Sequence, residues 1–200
     1  MTILHLSDTH GMHRQLGDMP YADVLVHSGD FTLAGGDMEA LDFIEWFCDL
    51  PYRHKIFIAG NHDDNMFDAS LEGLPDDVHY ICDNSIVIDG VTFYGAPMFV
   101  GFFDGELKKI EHYGQIPDGI DVLITHRPPL GILDSSDDKL HYGSALLLDR
   151  VTAIKPKLHL FGHVHDVNSM MQWNSTTFSN AAIADSKYNL GFSPRLLTYH

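Results

Sequence analysis

Five short apolar runs in this chain end in residues that bind metal ions or move protons. Ile3-Leu4-His5-Leu6-Ser7 is followed by Asp8 and His10, and Val24-Leu25-Val26-His27 by Asp30. Lys55-Ile56-Phe57-Ile58-Ala59-Gly60 is followed by Asn61, His62 and Asp63. Asp121-Val122-Leu123-Ile124 leads to His126, and Leu158-His159-Leu160-Phe161-Gly162 leads to His163 and His165. One histidine after a strand is usually a hydrogen-bonded structural residue, and one aspartate there is usually a turn or cap. Five endings of one type are different, because parallel strands bring their carboxyl ends together, where ligands bind. The set points to a metal site.

Oxygen and imidazole donors suit manganese, iron, zinc or nickel, and the absence of thiolates argues against a structural zinc knot. One carboxylate can bridge two ions roughly 3.5–4 Å apart, the separation that two-metal hydrolases use. Such a pair makes hydroxide from a shared water near neutral pH and neutralises charge on a phosphate. Protonating the leaving group then requires an acid beside the site but off the metals.

The elements that must position these residues follow from hydrophobic periodicity. Apolar runs this short, ended by turn signals, read as buried strands. Asp37 can cap a helix carrying Leu41, Phe43, Ile44, Trp46 and Phe47, and a second helix runs from Ser144 to Ile154. His79–Cys82, Ile86–Ile88 and Val91–Tyr94 are short strands, the last two joined by the hairpin dipeptide Asp89-Gly90. Residues 64 to 78 read as a loop with one helical turn. Met98 to Ile116 reads as a glycine-broken loop with a helix over the site edge. Further strands fall near Met170–Trp173, Thr176–Phe178 and Leu196–Tyr199. Strand–helix alternation with interposed hairpins predicts an α/β (α+β) fold, a two-sheet mixed β-sandwich flanked by helices, as one domain over residues 1–200.

Composition bounds the partners. The net charge of −16 repels polyanions, which disfavours long DNA or RNA and leaves a small substrate. No apolar run is long enough to span a bilayer. Met1-Thr2-Ile3-Leu4 lacks the basic region and cleavage site of a signal peptide, which predicts a cytoplasmic protein. Cys48 and Cys82 are expected to be reduced and buried.

The motifs resemble the calcineurin-like metallophosphoesterase superfamily, whose blocks are D-x-H, G-D, G-N-H-[DE], a lone H, and G-H-x-H. They stand here, complete and in order, as Asp8-Thr9-His10, Gly29-Asp30, Gly60-Asn61-His62-Asp63, His126 and Gly162-His163-Val164-His165. Met19-Pro20-Tyr21, Gly29-Asp30-Phe31-Thr32, Tyr94-Gly95-Ala96-Pro97 and Pro156-Lys157-Leu158-His159 are similar to one branch, the metallophosphoesterase-domain-containing, class III cyclic-nucleotide-phosphodiesterase-like proteins. His163 is present where that branch can carry glycine, and Arg127 stands where its animal members tend to have glycine.

The resemblance implies a dinuclear phosphodiesterase for small substrates such as cyclic nucleotides and aryl diesters. Two divalent ions are implied, manganese first, with iron, nickel or zinc as alternatives. Asp8, His10, Asp30 and His165 would hold the first ion. Asp30, Asn61, His126 and His163 would hold the second, with Asp30 bridging. His62 looks like the general acid and Asp63 like its orienting partner. A phosphomonoesterase or protein phosphatase would use the same site. A vestigial, non-catalytic nucleotide-binding protein is the reading from another class.

Other residues have plainer readings. His5, His27 and His159 sit within strands and read as core. His13, Arg14 and Arg127 flank ligand loops and are candidates for gripping the phosphodiester. Phe99, Phe102 and Phe103 lie in the glycine-broken loop and could cover a leaving group.

Overall fold

Two β-sheets lie face to face between helices in the computed structural model, which describes residues 1–103, 106–137 and 140–200, the side chains of Phe102, Phe103 and Leu107 excepted. The chain runs β1 (Thr2–Leu6), β2 (Val24–His27), α1 (Asp37–Asp49), β3 (His54–Phe57), β4 (Val78–Tyr80), β5 (Asn84–Ile88) and β6 (Val91–Ala96). It continues through β7 (Phe99–Phe103), β8 (Glu106–Ile110), β9 (Val122–Thr125), α2 (Ala145–Ile154) and β10 (Leu158–Phe161). It ends with β11 (Ser169–Trp173), β12 (Thr176–Asn180) and β13 (Arg195–Thr198).

The first sheet has the order β13-β1-β2-β3-β4, with β13 antiparallel and the rest parallel. The second has the order β11-β12-β10-β9-β6-β5, parallel inside and antiparallel at both edges. At the β5–β6 turn Asp89 and Gly90 both take positive φ, 50° and 81°, which matches the twist of the flanking strands.

Period-two alternation sorts the side chains into layers. Ile3, Val24, Val26, Ile56 and Ile58 meet Phe93, Val122, Ile124, Leu158 and Leu160 between the sheets. The intervening Leu4, Leu6, Leu25 and Phe57 pack on Phe43 and Phe47 of α1. Leu123, Phe161 and Phe178 pack on Leu147 and Val151 of α2. Strands buried on both faces explain why the runs are continuously apolar. Phe43 alone touches the rings of Phe31, Phe47 and Phe57, so truncating it to alanine would cost about 3–5 kcal/mol.

Gly36, not Asp37, is the N-cap of α1, and Asp37 sits in its first turn with Glu39. Ser144 caps α2 by accepting from the Leu147 amide. Cys48 and Cys82 are free and half-buried rather than buried. Among the described residues no helix is long and apolar enough to cross a membrane.

The stretch from Met98 to Ile116 differs from expectation. It is a two-stranded ribbon, β7 against β8 from Phe99↔Ile110 to Phe103↔Glu106, and a single 3-10 turn comes after it at Tyr113–Gln115. Phe99 turns inward, packs on Phe67 at 5.3 Å and is a core residue, not a cover for a ligand. The expectation for Phe102 and Phe103 falls on side chains outside the described residues.

The sheets are joined where the site lies. Ser7, just past β1, forms a parallel bridge with Ala182, just past β12. The Ser7 amide donates to the Ala181 carbonyl, and the Ile183 amide donates to the Ser7 carbonyl.

Three buried histidines make this fold acid-sensitive. His5 lies between the hydroxyls of Ser28 and Ser179, His27 reaches Thr9, and His159 reaches Thr125. Burial pushes each from 6.5 down to about 3. The unfolded chain therefore binds protons that the folded chain refuses. Stability is complete above pH 6.5 and is lost as pH falls toward 3. At about 1.4 kcal/mol per group per pH unit, the three together remove about 6 kcal/mol by pH 5. Asp63, which burial and Asp30 push up to about 7, works the other way, and His163, which burial pushes down to about 3, offsets that gain by a similar amount. The urea midpoint of metal-free protein should therefore fall steeply from about pH 6.5 to about pH 5. A level midpoint would mean that these histidines are charged in the fold.

Candidate metal centre

The loops after β1, β2, β3, β9 and β10 bring seven donor side chains to one edge of the sandwich. Four of those residues have left-handed backbones: Asp8 (φ 56°), His10 (φ 42°), Asp30 (φ 57°) and His163 (φ 68°). Such a conformation costs a residue with a Cβ about 1–3 kcal/mol. Interlocked amides hold it: Asp8 N–H donates to Gly29, His10 N–H to Asp30, and Gly162 N–H to His126. Two glycines allow the loops to approach. A Cβ at Gly162 would lie 2.0 Å from Asp8 Oδ2, and one at Gly60 would lie 2.2 Å from Asp30 Oδ1.

Three groups of donor atoms lie within 4.8 Å of one another: Asp8, His10 and His165; Asp30, His126 and His163; and His10, Asp30 and His62. The closest approaches are His10 Nε2 to His165 Nε2 at 3.2 Å, His126 Nε2 to Asp30 Oδ2 at 3.1 Å, and His165 Nε2 to Asp8 Oδ1 at 3.3 Å. Asn61 Oδ1 stands 3.1 Å from His126 Nε2, which adds a neutral oxygen to the second group.

The residues fit divalent ions. His10, His126 and His165 each turn Nδ1 to a backbone carbonyl, of Thr32, Ser28 and Asp185 respectively. Those bonds fix a proton on Nδ1 and turn each Nε2 to the cluster, where a metal ion can take the place of a proton. The Nε2 atoms of His10 and His165 face each other at 3.2 Å, a spacing at which both can bind one cation. Burial works to raise Asp8 and Asp30, yet the neighbouring histidines outweigh it and hold both carboxyls below the usual range. Burial works to lower His126 as well, but Asp30 beside it drives it up to about 9. His165 is raised against its burial by the hydrogen bond to Asp8. Each group thus draws positive charge onto one of its own imidazoles. His163 does not share this, since burial and the nearby His126 push it down to about 3, which keeps its imidazole neutral and able to bind a metal.

His62 sits at the rim of this cluster, with its ring 4.7 Å from that of His10. Its Nδ1 donates to the Leu33 carbonyl at 2.8 Å, which leaves Nε2 for the cleft. Asp63 is placed differently from expectation and does not orient His62. Its carboxylate accepts from the amides of Gly60, Asp30 and Thr32 and from the Thr32 hydroxyl. It therefore ties the loop after β3 to the loop after β2 and sets the backbone of Asp30.

The partner of His62 is reached through a peptide. Glu39 Oε2 accepts from the Leu33 and Ala34 amides at 3.2 and 3.1 Å. The Ala34 N–H and the Leu33 C=O belong to one peptide unit, so Glu39 grips one side of it and His62 the other. Nothing in the spacing of Glu39 marks this role beyond an acidic residue in the first turn of a helix. Glu39→Ala is expected to lower kcat about tenfold with metal content unchanged. Steady-state kinetics beside metal analysis would check it, and an unaltered kcat would remove Glu39 from the site.

The cations are also placed differently. The Arg127 guanidinium is consumed by Glu111 and by the Tyr142 and Gly143 carbonyls. His13 is buried against Phe43 and Trp46 and bonds Asp42, while Arg14 bonds Asp42 and Glu45. That pair fastens the turn at His13–Gln15 to α1. In an acidic chain carboxylates capture the few cations, so a cation beside a ligand loop in sequence need not face the cleft. The cleft, of about 330 Å³, is lined by Asp30, Asn61, His62, His163, His165 and Tyr188 among others.

A two-sheet sandwich that collects imidazoles and carboxylates at its strand ends belongs to the class of metal-dependent hydrolases. The chain is a member of the calcineurin-like phosphoesterase family, whose profile matches residues 1–167. It is thereby a metal-dependent phosphoester hydrolase by family. A UPF0046 protein of Caenorhabditis elegans is 39 % identical to it over 94 % of this chain and 77 % of that protein. Human metallophosphoesterase domain-containing protein 1 is 35 % identical over 92 % of this chain and 66 % of its own length. A solved crystal structure matches with a TM-score of 0.60 over 90 % of this chain and 89 % of its own, and at 12 % identity it speaks for the fold alone.

Proposed function

We propose that this chain is a two-metal phosphodiesterase for small diesters, cyclic nucleotides and aryl phosphodiesters among them, with manganese its preferred ion. The observation that carries the reading is the pair of donor groups sharing one edge, each with imidazole Nε2 atoms within 4.8 Å of a carboxylate oxygen. Asp8, His10 and His165 would hold one ion; Asn61, His126 and His163 would hold the other, with Asp30 between them. When bound, two such ions neutralise phosphate charge and make a water nucleophilic.

The chain's own residues do the rest. His62 carries a proton on Nε2 to the leaving oxygen as its bond to phosphorus breaks and a bond from phosphorus to the water oxygen forms. The proton that the water gives up restores His62. Leu33 O holds the imidazole in the required orientation throughout. Asp63 fixes the amide of Asp30, and Thr32 steadies the turn by donating from its hydroxyl to the His62 carbonyl. The size of the cleft and the net charge of −16 both favour a mononucleotide-sized substrate over a polyanion.

Manganese-loaded protein should release p-nitrophenolate from bis-p-nitrophenyl phosphate faster than from p-nitrophenyl phosphate. A reversed preference would make the chain a phosphomonoesterase. No diester turnover with manganese, nickel, iron or zinc would end the proposal, and tight nucleotide binding without turnover would replace it with a binding role.

A further inference from the structure

Tyr188 lies outside the family match at residues 1–167, yet its ring stands among the site histidines. The centroid distances are 4.8 Å to His10, 5.3 Å to His165 and 6.2 Å to His62. It touches a ligand pair and the proposed general acid at once, and it remains 43 % exposed on the wall of the cleft.

The backbone holds it there at a cost. Tyr188 has φ +58°, a left-handed conformation that a bulky residue rarely adopts. The turn at residues 185–189 enforces it. Asp185 N–H donates to the Asn189 carbonyl, Tyr188 N–H donates to the Asp185 carbonyl, and Asp185 Oδ1 accepts from the Lys187 and Asn189 amides. The same Asp185 carbonyl accepts from His165 Nδ1. One carbonyl thus fixes both a metal-ligand imidazole and the tyrosine. Glycine or asparagine would close such a turn with less strain.

We propose that Tyr188 is the specificity-determining residue of this site, its ring stacking on an aromatic group, a nucleobase or aryl ring, borne by the leaving oxygen. The proposal rests on the phosphodiesterase reading above. The general acid must come within hydrogen-bond reach of the leaving oxygen, so the substituent on that oxygen passes beside His62. Tyr188 presents an exposed aromatic surface there. Stacking is tolerant of which base is offered, so the selectivity is for aromatic over alkyl leaving groups.

The test compares Tyr188→Ala and Tyr188→Phe with the parent protein on paired diesters carrying an aryl or a methyl leaving group. Tyr188→Ala should lower kcat/KM for the aryl substrate about tenfold relative to the methyl one, chiefly through KM, while Tyr188→Phe keeps the ratio. Metal content should be equal in all three. A second measurement does not need turnover: calorimetric binding of adenosine monophosphate and of inorganic phosphate to manganese-loaded protein. Tyr188→Ala should weaken the nucleotide about tenfold and leave phosphate unchanged. An unchanged aryl-to-methyl ratio together with equal nucleotide binding overturns the proposal. Parallel loss of nucleotide, phosphate and metal also overturns it, because Tyr188 would then only shield His10 and His165. If the parent protein hydrolyses no diester, the phosphodiesterase reading fails by itself, and the binding pair still decides the role of Tyr188.

Discussion

His62→Gln is expected to leave metal content unchanged and to lose turnover by about 10²–10⁴-fold, the usual worth of a positioned general acid. Glutamine can still donate from its amide to the Leu33 carbonyl that now holds Nδ1, so the turn stays in place and the proton is what disappears. The loss should grow as the leaving group worsens, because a p-nitrophenolate departs without help and an alkoxide does not. Metal analysis beside rates on a graded set of leaving groups would show it. Asn61→Ala provides the contrast: it should weaken the ion shared with His126 and His163 and leave the acid intact. His62 also satisfies the distance test for a ligand with His10 and Asp30. If His62→Gln lost metal as completely as His126→Ala, His62 would be a ligand and the division of labour would be wrong.

The second large effect comes from a residue that offers no donor atom of its own. Gly162→Ala would place a Cβ 2.0 Å from Asp8 Oδ2 and 2.1 Å from Ser7 Oγ. Neither atom can yield cheaply. Asp8 is fully buried and accepts from the His163 amide with both oxygens, and Ser7 is the bridge between the sheets. Overpacking a buried site costs about 1–3 kcal/mol even where side chains can move, and here the contact is with a ligand and a seam. Turnover should fall at least a hundredfold, with the ion at Asp8 lost and the melting temperature lowered. A variant that melts and binds metal like the parent would show that the loop after β10 is free to move away from Asp8. Gly60, 2.2 Å from Asp30 Oδ1 by the same construction, should behave alike.

Legibility in the sequence divides along a physical line. The strand ends can be read because burial on both sheet faces leaves continuous apolar runs, and because parallel strands deliver their C-terminal loops to one place. His10, Asp30 and His126 are found that way. Side chains whose work depends on the path of a turn are not. Asp63 turns to four donors, three of them in the loop after β2, and Glu39 acts through a peptide about six positions away. Tyr188 depends on a left-handed residue that nothing in its local sequence announces. The β7–β8 ribbon is hard to read because Gly101 interrupts β7 and neither strand alternates between apolar and polar residues. Arg127, His13 and Arg14 fail as substrate contacts because adjacency in the chain says nothing about which carboxylate captures a cation first.

The bridge from Ser7 to Ala182 gives the donor groups a mechanical meaning. Asp8, His10, Asp30 and Asn61 issue from the first sheet, and His126, His163 and His165 from the second. Every ion held as proposed would therefore be bolted to both halves of the sandwich. Filling a site at a hundred times its dissociation constant adds about 2.7 kcal/mol to the folded state, and that increment is stored across the seam. Chelation would then do more than stop hydrolysis. It would loosen the two sheets against each other, and hydrogen exchange at the Ser7, Ile183 and Ala184 amides, which donate across the seam, would register the slackening first.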